Sequence, residues 1–230
     1  MIDPVAFELT LGISFKNKDL LTQALTHRSY LNENPGFRLG HNERLEYLGD
    51  AVLELVVTAD LFARFPDKPE GELTSIRAAL VNAEILAGIA ADIKMGDYLL
   101  LSRGEKKDTG RARHYILANA FEAFVGALYL DQGYEACAEF IKKYLLVHTI
   151  EVIEKRLWRD PKSSFQEAAQ DRVGITPSYK VLREAGPDHQ KKFFVGVFLG
   201  STQIAEGSGH SKQDAEVEAA ENALREKGWS

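Results

Sequence analysis

The chain has a single cysteine, fewer basic than acidic residues and no apolar run at its N-terminus. Each of these features limits the kind of protein that it can be. A single cysteine among 230 residues, Cys137, excludes an internal disulfide framework and is typical of a reducing cytoplasm. Acidic residues outnumber Lys and Arg by 34 to 28, so any binding of a polyanion must depend on local patches. The N-terminus has neither a basic start nor a long apolar run, so we expect no secretory signal.

Three carboxylates lie at helical spacing within residues 41–50. Glu43, Glu46 and Asp50 are three and then four residues apart, so a helix presents all three on one face. The surrounding residues are mostly apolar, which places this helix in a core, where carboxylates are costly unless a cation lies against them. A hard divalent cation with oxygen ligands meets that requirement. A solvated acidic face with Arg44 as a partner is the alternative that spacing alone leaves open.

A second helix is predicted at residues 115–130, which are too short and too interrupted for a membrane span. Its strongly polar residues, Asn119 and Glu122, are three apart and therefore share one face. A buried helix directs such a polar spot at a partner, and the acidic stripe of the first helix is the candidate. We therefore expect Glu46, Asp50, Asn119 and Glu122 to form one metal site. Magnesium, or manganese in its place, is favoured over zinc because no Cys/His set lies nearby.

The first two thirds of the chain are predicted to be all-α. From residue 3 to about residue 155 the apolar residues recur at helical spacing, and no alternation is long enough for a sheet. Residues 80–93 and 134–153 are each expected to form one continuous helix. Residues 102–113 form a mobile-looking loop with five Lys or Arg against two acids. This loop is either a solvated charged segment or a phosphate contact beside the predicted metal site.

The pattern changes near Pro161, and the remaining residues predict a small α+β domain. A helix at residues 163–172 precedes three strands, and a last helix begins after Ser211, a good N-cap. The strands are expected at residues 178–183, 192–199 and 203–206. We therefore expect a first domain at residues 1–155, a linker at 156–160 and a second domain at 161–230.

The motifs of the first domain resemble those of the ribonuclease III family. The segment 41–50 followed by Ala-Val-Leu resembles the family signature, and the segments 24–30, 70–73, 77–81 and 116–131 resemble further family segments in the same order. The second domain resembles the double-stranded RNA-binding domain over its full length. The resemblance implies a cytoplasmic homodimer that cuts double-stranded RNA with divalent metal ions. It also implies processing of rRNA and mRNA precursors to products with short 3′ overhangs, with no membrane and no small-molecule cofactor involved.

The resemblance also assigns roles to residues of the first domain. Glu46, Asp50 and Glu122 match metal-binding carboxylates, and Asp50 and Glu122 are the expected catalytic residues. Glu43 and Glu70 match acidic positions that face RNA or metal at the cleavage valley of the dimer. The exposed aromatics near Phe37 and the apolar face at residues 51–55 are candidates for the dimer contact.

Asn119 departs from the family pattern, which most often has Asp there. An Asn carbonyl can ligate magnesium, but it brings no negative charge. The chain is therefore an active or slowed natural enzyme, a cleavage-impaired double-stranded RNA-binding protein, or an engineered variant. We favour the active or slowed enzyme, because Glu46, Asp50 and Glu122 all remain.

The resemblance implies an RNA interface on the second domain as well. Gln166 and Glu167 on its first helix would face one minor groove, and His189 would reach another from a loop. Lys212, at the start of the last helix, would meet phosphates beside the free amide groups there. Gln213 stands where the family often has a second basic residue, which lowers the expected affinity. The neighbouring pair 191–192, both lysines, either compensates for that loss or serves solubility at a strand edge.

Overall fold

The computed structural model describes residues 4–107, 109–187 and 191–229. The chain divides into two compact units, Met1–Trp158 and Arg159–Ser230. The division lies within the 156–160 segment that was expected to be a linker. Each unit is described by itself.

The first unit is built of helices, which confirms the all-α prediction. Apart from short 3-10 turns, its helices in chain order are α1 (Pro4–Leu11), α2 (Lys18–Ala24), α3 (Arg28–Glu33), α4 (Glu43–Arg64), α5 (Glu70–Leu80), α6 (Ala83–Asp92), α7 (Arg111–Gln132), α8 (Tyr134–Tyr144) and α9 (Thr149–Glu154). The two longest, α4 and α7, have 22 residues each and pack against each other in the middle of the core. Rings of Phe7, Phe15, Phe121, Phe124 and Phe140 fill the space around α7.

Two segments that were expected to be continuous helices are broken. The helical periodicity of residues 80–93 is interrupted because Asn82 caps α6, its side chain accepting a hydrogen bond from the Ile85 amide at 2.9 Å. The segment 134–153 breaks after Tyr144, where a 3-10 turn leads into α9. The buried Thr149 hydroxyl donates to the Leu146 carbonyl at 2.8 Å and stabilises that break. In both places a polar side chain competes with the helix for backbone groups, which apolar spacing does not reveal.

The helices α4 and α7 cross where two glycines face each other. A Cβ on Gly49 would lie 1.8 Å from the Glu122 carbonyl oxygen, and one on Gly126 would lie 2.1 Å from the Leu45 carbonyl oxygen. Neither position has room for any side chain, so the two backbones are in direct contact. This crossing sets the distance between every side chain of α4 and its neighbours on α7.

The second unit has the predicted order of one helix, three strands and one helix. It consists of α10 (Pro161–Val173), β1 (Ser178–Ala185), β2 (Lys192–Leu199), β3 (Thr202–Gly209) and α11 (Lys212–Lys227), with an antiparallel sheet in the order β1-β2-β3. Phe165 and Ala169 of α10, Val197 of β2 and Ala219 of α11 form the core between the helices and one face of the sheet. Ser211 caps α11 in a reciprocal capping box with Asp214.

Within the described ranges, no single helix is long and apolar enough to cross a membrane. The bent pair α5 and α6 meets the criteria of length and composition when the two helices are taken together.

We expect Gly49→Ala to destabilise the first unit by about 1–3 kcal/mol or more, because the added methyl group must push α4 away from α7. The matched control is Gly88→Ala in α6, where an added Cβ meets nothing within 4 Å. That change should be neutral or stabilise the helix by up to about 1 kcal/mol. Urea unfolding measures both, and equal free energies of unfolding for Gly49→Ala and the unchanged chain would contradict the crossing.

Candidate functional site

The start of α4 is fixed by a buried asparagine. The Asn42 amide donates to the Thr26 carbonyl at 2.9 Å, and its side-chain nitrogen donates to the Ala24 carbonyl at 3.2 Å. Ala24 is the last residue of α2 and Thr26 lies just beyond it, so the start of α4 is tied to the C-terminal end of α2. Glu43 and Glu46 occupy this first turn, where the helix dipole favours negative charge.

Four of the predicted ligands lie on the facing sides of α4 and α7. Glu46 and Asp50 of α4 flank Gly49, and Asn119 and Glu122 of α7 lie at the same crossing. The side-chain amide of Asn119 forms a hydrogen bond with the Glu46 carboxylate. We refer to these four residues as the acidic cluster.

The carboxylates of the acidic cluster repel one another. Burial, followed by the charges of Asp50 and Glu46, raises the pKa of Glu122 to about 7. Burial and the charge of Glu43 raise the pKa of Glu46, while the hydrogen bond from Asn119 opposes that rise. In the described part of the chain, no Lys, Arg or His lies within ion-pair distance of Glu46, Asp50 or Glu122. The described residues therefore supply no ion-pair partner for this charge.

The donor set fits a hard divalent cation. Three carboxylates and one carboxamide offer only oxygen ligands, which magnesium and manganese prefer. Among the described residues, however, no three His, Cys, Asp or Glu side chains are already close enough to hold one ion. Binding therefore requires the carboxylates to turn toward a common point, and the relief of their mutual repulsion favours that movement.

The two further acids of the first unit have other surroundings. Glu43 forms an ion pair with Arg28 at 3.1 Å and faces the His41 ring nitrogen at 3.7 Å. Glu70 is the first residue of α5 and accepts a hydrogen bond from the Thr74 hydroxyl at 3.1 Å. It lines a pocket of about 410 Å³ on α4 and α5, whose lining does not include the acidic cluster.

The start of the loop at residues 102–113 is hydrogen-bonded to α3. The Ser102 amide donates to the Ser29 hydroxyl at 3.1 Å, and the Arg103 amide donates to the Glu33 carboxylate at 3.2 Å. The Ser29 hydroxyl lies 2.8 Å from the His27 ring nitrogen. Burial lowers the pKa of His27, so this ring favours its neutral form. Sequence reasoning missed these hydrogen bonds because the bonded residues lie 73 and 70 positions apart.

The predicted RNA-facing residues of the second unit are solvent-exposed where the structure describes them. Gln166 and Glu167 are exposed on α10, and Lys212 is exposed as the first residue of α11. His189 lies outside the described residues. Lys191 forms an ion pair with Glu184 at 2.8 Å, so its charge is only partly free to replace the cation missing at Gln213.

Comparison with known proteins follows the same division of the chain. The family model described as ribonuclease-III-like matches residues 17–149, and that of the double-stranded RNA binding motif matches residues 161–227. The chain belongs to the ribonuclease III family. The predicted family and function class are therefore confirmed: the chain is an endoribonuclease of this family with a double-stranded RNA-binding domain.

Several relatives support the assignment over nearly the whole chain. Ribonuclease 3 of Desulforamulus reducens is 46% identical over 215 residues, which are 94% of this chain and 87% of that protein. Ribonuclease 3 of Borreliella burgdorferi is 45% identical over the same shares. A solved nuclease domain of ribonuclease III from Campylobacter jejuni, described for flexibility in a region involved in dimer formation, is 40% identical with a TM-score of 0.56. The match covers 63% of this chain and 96% of the Campylobacter jejuni chain.

The raised pKa of Glu122 predicts that the metal-free protein loses stability as the pH rises. The folded state binds this proton more tightly than the unfolded state, where the usual pKa is 4.5. The resulting stabilisation is complete below about pH 4.5 and is lost as the pH rises through about 7. Thermal unfolding in the presence of a chelator, between about pH 5 and about pH 8, measures this loss of stability. Glu122→Gln should remove most of it.

Glu54→Gln, which removes an exposed carboxylate of α4, is the matched control and should keep the pH dependence. Magnesium should also raise the Tm of the unchanged chain more than that of Glu122→Gln, because binding to the folded state stabilises it. An identical pH slope for the unchanged chain and Glu122→Gln would contradict the described repulsion.

Proposed function

We propose that the chain hydrolyses phosphodiester bonds of double-stranded RNA at the acidic cluster with the help of magnesium, which manganese can replace. The observation that supports this most directly is the group of carboxylates at the Gly49–Gly126 crossing, of which Glu46 and Glu122 are partly buried and Asp50 is exposed. It lacks a cationic partner among the described residues, and two of its pKa values are raised. In a structural ion-pair network, Lys, Arg or His side chains neutralise the carboxylates. In a metal site the bound cation does so, and the carboxylates have no such side chain beside them.

Each member of the acidic cluster has a distinct part in this proposal. Glu46, Asp50 and Glu122 would hold the cation, and the Asn119 carbonyl would serve as a neutral ligand. The Asn119 amide keeps the Glu46 carboxylate oriented through its hydrogen bond. Bound magnesium supplies a more acidic water and stabilises charge on the attacked phosphate. Asp50 and Glu122 are the catalytic residues of this proposal, since the charge of Asp50 on α4 acts on the partly buried Glu122 of α7.

Cleavage of long duplex RNA with magnesium tests the proposal and the role of Asn119. We expect the unchanged chain to cut, and Asn119→Asp to cut at a similar or moderately higher rate, because three carboxylates remain in both. Glu122→Gln should lose at least about 100-fold in rate, since even indirect partners of metal ligands are worth 10–100-fold. If only Asn119→Asp cuts while both bind duplex RNA, the chain is the cleavage-impaired binding protein and the catalytic proposal is wrong.

We further propose that the chain acts as a homodimer paired through the exposed face of α4. Tyr47, Leu55 and Phe62 lie on this face with exposed fractions of 82%, 57% and 74%. An apolar stripe of this kind on a soluble helix marks an interaction surface. The region near Phe37 is a weaker candidate, because its ring is partly buried and packs edge-on against Tyr30 at 5.3 Å.

A second copy of the chain is the occupant that fits this face. The pocket lined by Phe62 and Glu70 adjoins the stripe and offers about 410 Å³ to an aromatic side chain. In a twofold dimer each contact occurs twice, so an aromatic ring of each subunit would enter the pocket of the other. If Tyr47 of one subunit fills the other subunit's pocket, Glu70 comes close to Glu46, which precedes Tyr47. Glu70 would then lie at the cleavage valley formed by the two subunits, whereas within one chain it lies apart from the acidic cluster.

Tyr47→Asp should produce a monomer that binds duplex RNA through its second unit but cuts it poorly. A charge on the pairing face must lose its hydration when two copies meet, which disfavours association. Sedimentation analysis measures the mass, and Leu9→Asp is the control because Leu9 is equally exposed, at 80%, on α1. A dimer that survives Tyr47→Asp and Phe62→Asp would exclude this face.

We also propose that the chain works in the cytoplasm on structured rRNA and mRNA precursors and leaves short 3′ overhangs. The cysteine content supports a reducing compartment, because the single residue Cys137 cannot form a disulfide within the chain. Two sites related by twofold symmetry would each cut one strand of a duplex, which yields staggered ends. Gln166, Glu167, His189 and Lys212 are proposed to hold the duplex by its shape and phosphates.

A further inference from the structure

The sheet of the second unit has one face that its helices do not cover. Tyr179, Val197 and Ala205 pack toward the helices in the core. Gly196 lies on the opposite face, where an added Cβ would be 2.9 Å from the Phe198 ring and 3.1 Å from Leu182. We call this opposite face, with Leu182, Phe198 and their neighbours, the outer face.

A β-bulge in β1 directs an arginine onto the outer face. Val181 pairs with Val195, and Arg183 pairs with Phe194, so Leu182 is an extra residue between the two pairs. Without this bulge Leu182 would oppose Phe194, and Arg183 would turn toward the helix side. A bulge re-aims side chains in this way, and bulges occur often next to functional sites.

Arg183 is held flat on an aromatic ring. Its guanidinium carbon lies 3.4 Å from the centroid of Phe194, a separation at which the planar group must lie parallel to the ring. Glu206 on β3 holds the same guanidinium from one side at 3.8 Å. The Arg183 side chain is nevertheless 60% exposed, so its second face is open to solvent. A fixed guanidinium plane with one open face is a stacking surface for a nucleobase.

Two lysines supply further positive charge on the outer face. Lys180 lies 5.0 Å above the Phe198 ring, and Lys192 lies 5.7 Å from the Phe194 ring. In the described ranges neither has a carboxylate within ion-pair distance. The only acids on the three strands, Glu184 and Glu206, are both occupied by ion pairs. The outer face is therefore locally basic in a chain with a net charge of −6.

We propose that the outer face binds unpaired RNA nucleotides, with a base stacked on Arg183 and the adjoining phosphates beside Lys180 and Lys192. Unpaired RNA is the favoured ligand because a duplex keeps its base faces stacked inside the helix and cannot offer one to Arg183. A partner protein fits less well, because the face combines a fixed stacking plane with free cations. This surface is separate from Lys212 and serves the single-stranded flanks and loops of a structured RNA.

Fluorescence anisotropy with a short, labelled oligouridylate tests the proposal on the full chain in the presence of a chelator, where nothing is cut. Arg183→Lys keeps the charge but removes the stacking plane, and it should weaken binding by about fivefold or more, the lower end of the effect of losing one stacking partner. A plot of the logarithm of the binding constant against the logarithm of the salt concentration should be less steep for Lys180→Gln. The slope should fall by about 0.7 for each phosphate contact that is lost. Lys227→Gln removes one charge from the end of α11 and should change neither quantity.

Lys212→Gln separates this surface from the duplex interface. It should weaken binding of duplex RNA and leave binding of the oligouridylate unchanged. Arg183→Lys should weaken binding of the oligouridylate and leave binding of duplex RNA unchanged. The proposal is overturned if the unchanged chain does not bind the oligouridylate, or if Lys212→Gln weakens that binding as much as Arg183→Lys. It is also overturned if Arg183→Lys changes only the sedimenting mass, because the outer face would then join copies of the chain. Each of these outcomes is independent of cleavage.

Discussion

Backbone contact between α4 and α7 is the constraint on which the rest of the first unit depends. Because Gly49 and Gly126 leave no side chain between the helices, the carbonyls of Glu122 and Leu45 lie directly against the opposite chain. Side-chain packing tolerates small shifts by changing rotamers, but two touching backbones do not. The acidic cluster therefore inherits its geometry from the core, whose buried aromatic rings hold α7 in place. The free energy of that packing offsets the repulsion that the same contact imposes on the carboxylates.

The repulsion in turn determines how the cluster responds to its surroundings. A surface stripe of acids would be screened by water and salt, whereas Glu122 is buried enough for its pKa to rise to about 7. At neutral pH the metal-free cluster therefore keeps part of its protons, and a cation must displace them to bind. In the proposed metal site Asn119 would moderate this competition, because a neutral carboxamide offers an oxygen ligand without adding to the repulsion. Its amide also bonds to Glu46, which keeps one carboxylate more acidic than burial alone would allow.

The features that the sequence predicted well are those that depend on local periodicity. Spacings of three and four residues placed Glu46 with Asp50, and Asn119 with Glu122, because a helix converts such intervals directly into a shared face. The missed features depend on competition or on distant partners. Asn82 and Thr149 end helices through side-chain hydrogen bonds that periodicity does not register. The glycine crossing joins residues 77 positions apart, and the bulge beside Leu182 arises from a pairing with β2.

Net charge was a poor guide to RNA binding because many of the carboxylates take part in the fold itself. The helix α11 carries five acids, yet Asp214 caps its start, Glu216 pairs with Lys162 at 2.5 Å, and Glu218 accepts a hydrogen bond from the Ser208 amide. Such acids contribute to the count of −6, but their charge is neutralised or shared within the unit. Within the described ranges, Lys212 at the helix start and Lys180 and Lys192 on the outer face have no carboxylate within ion-pair distance. These cations therefore determine where a phosphate can approach.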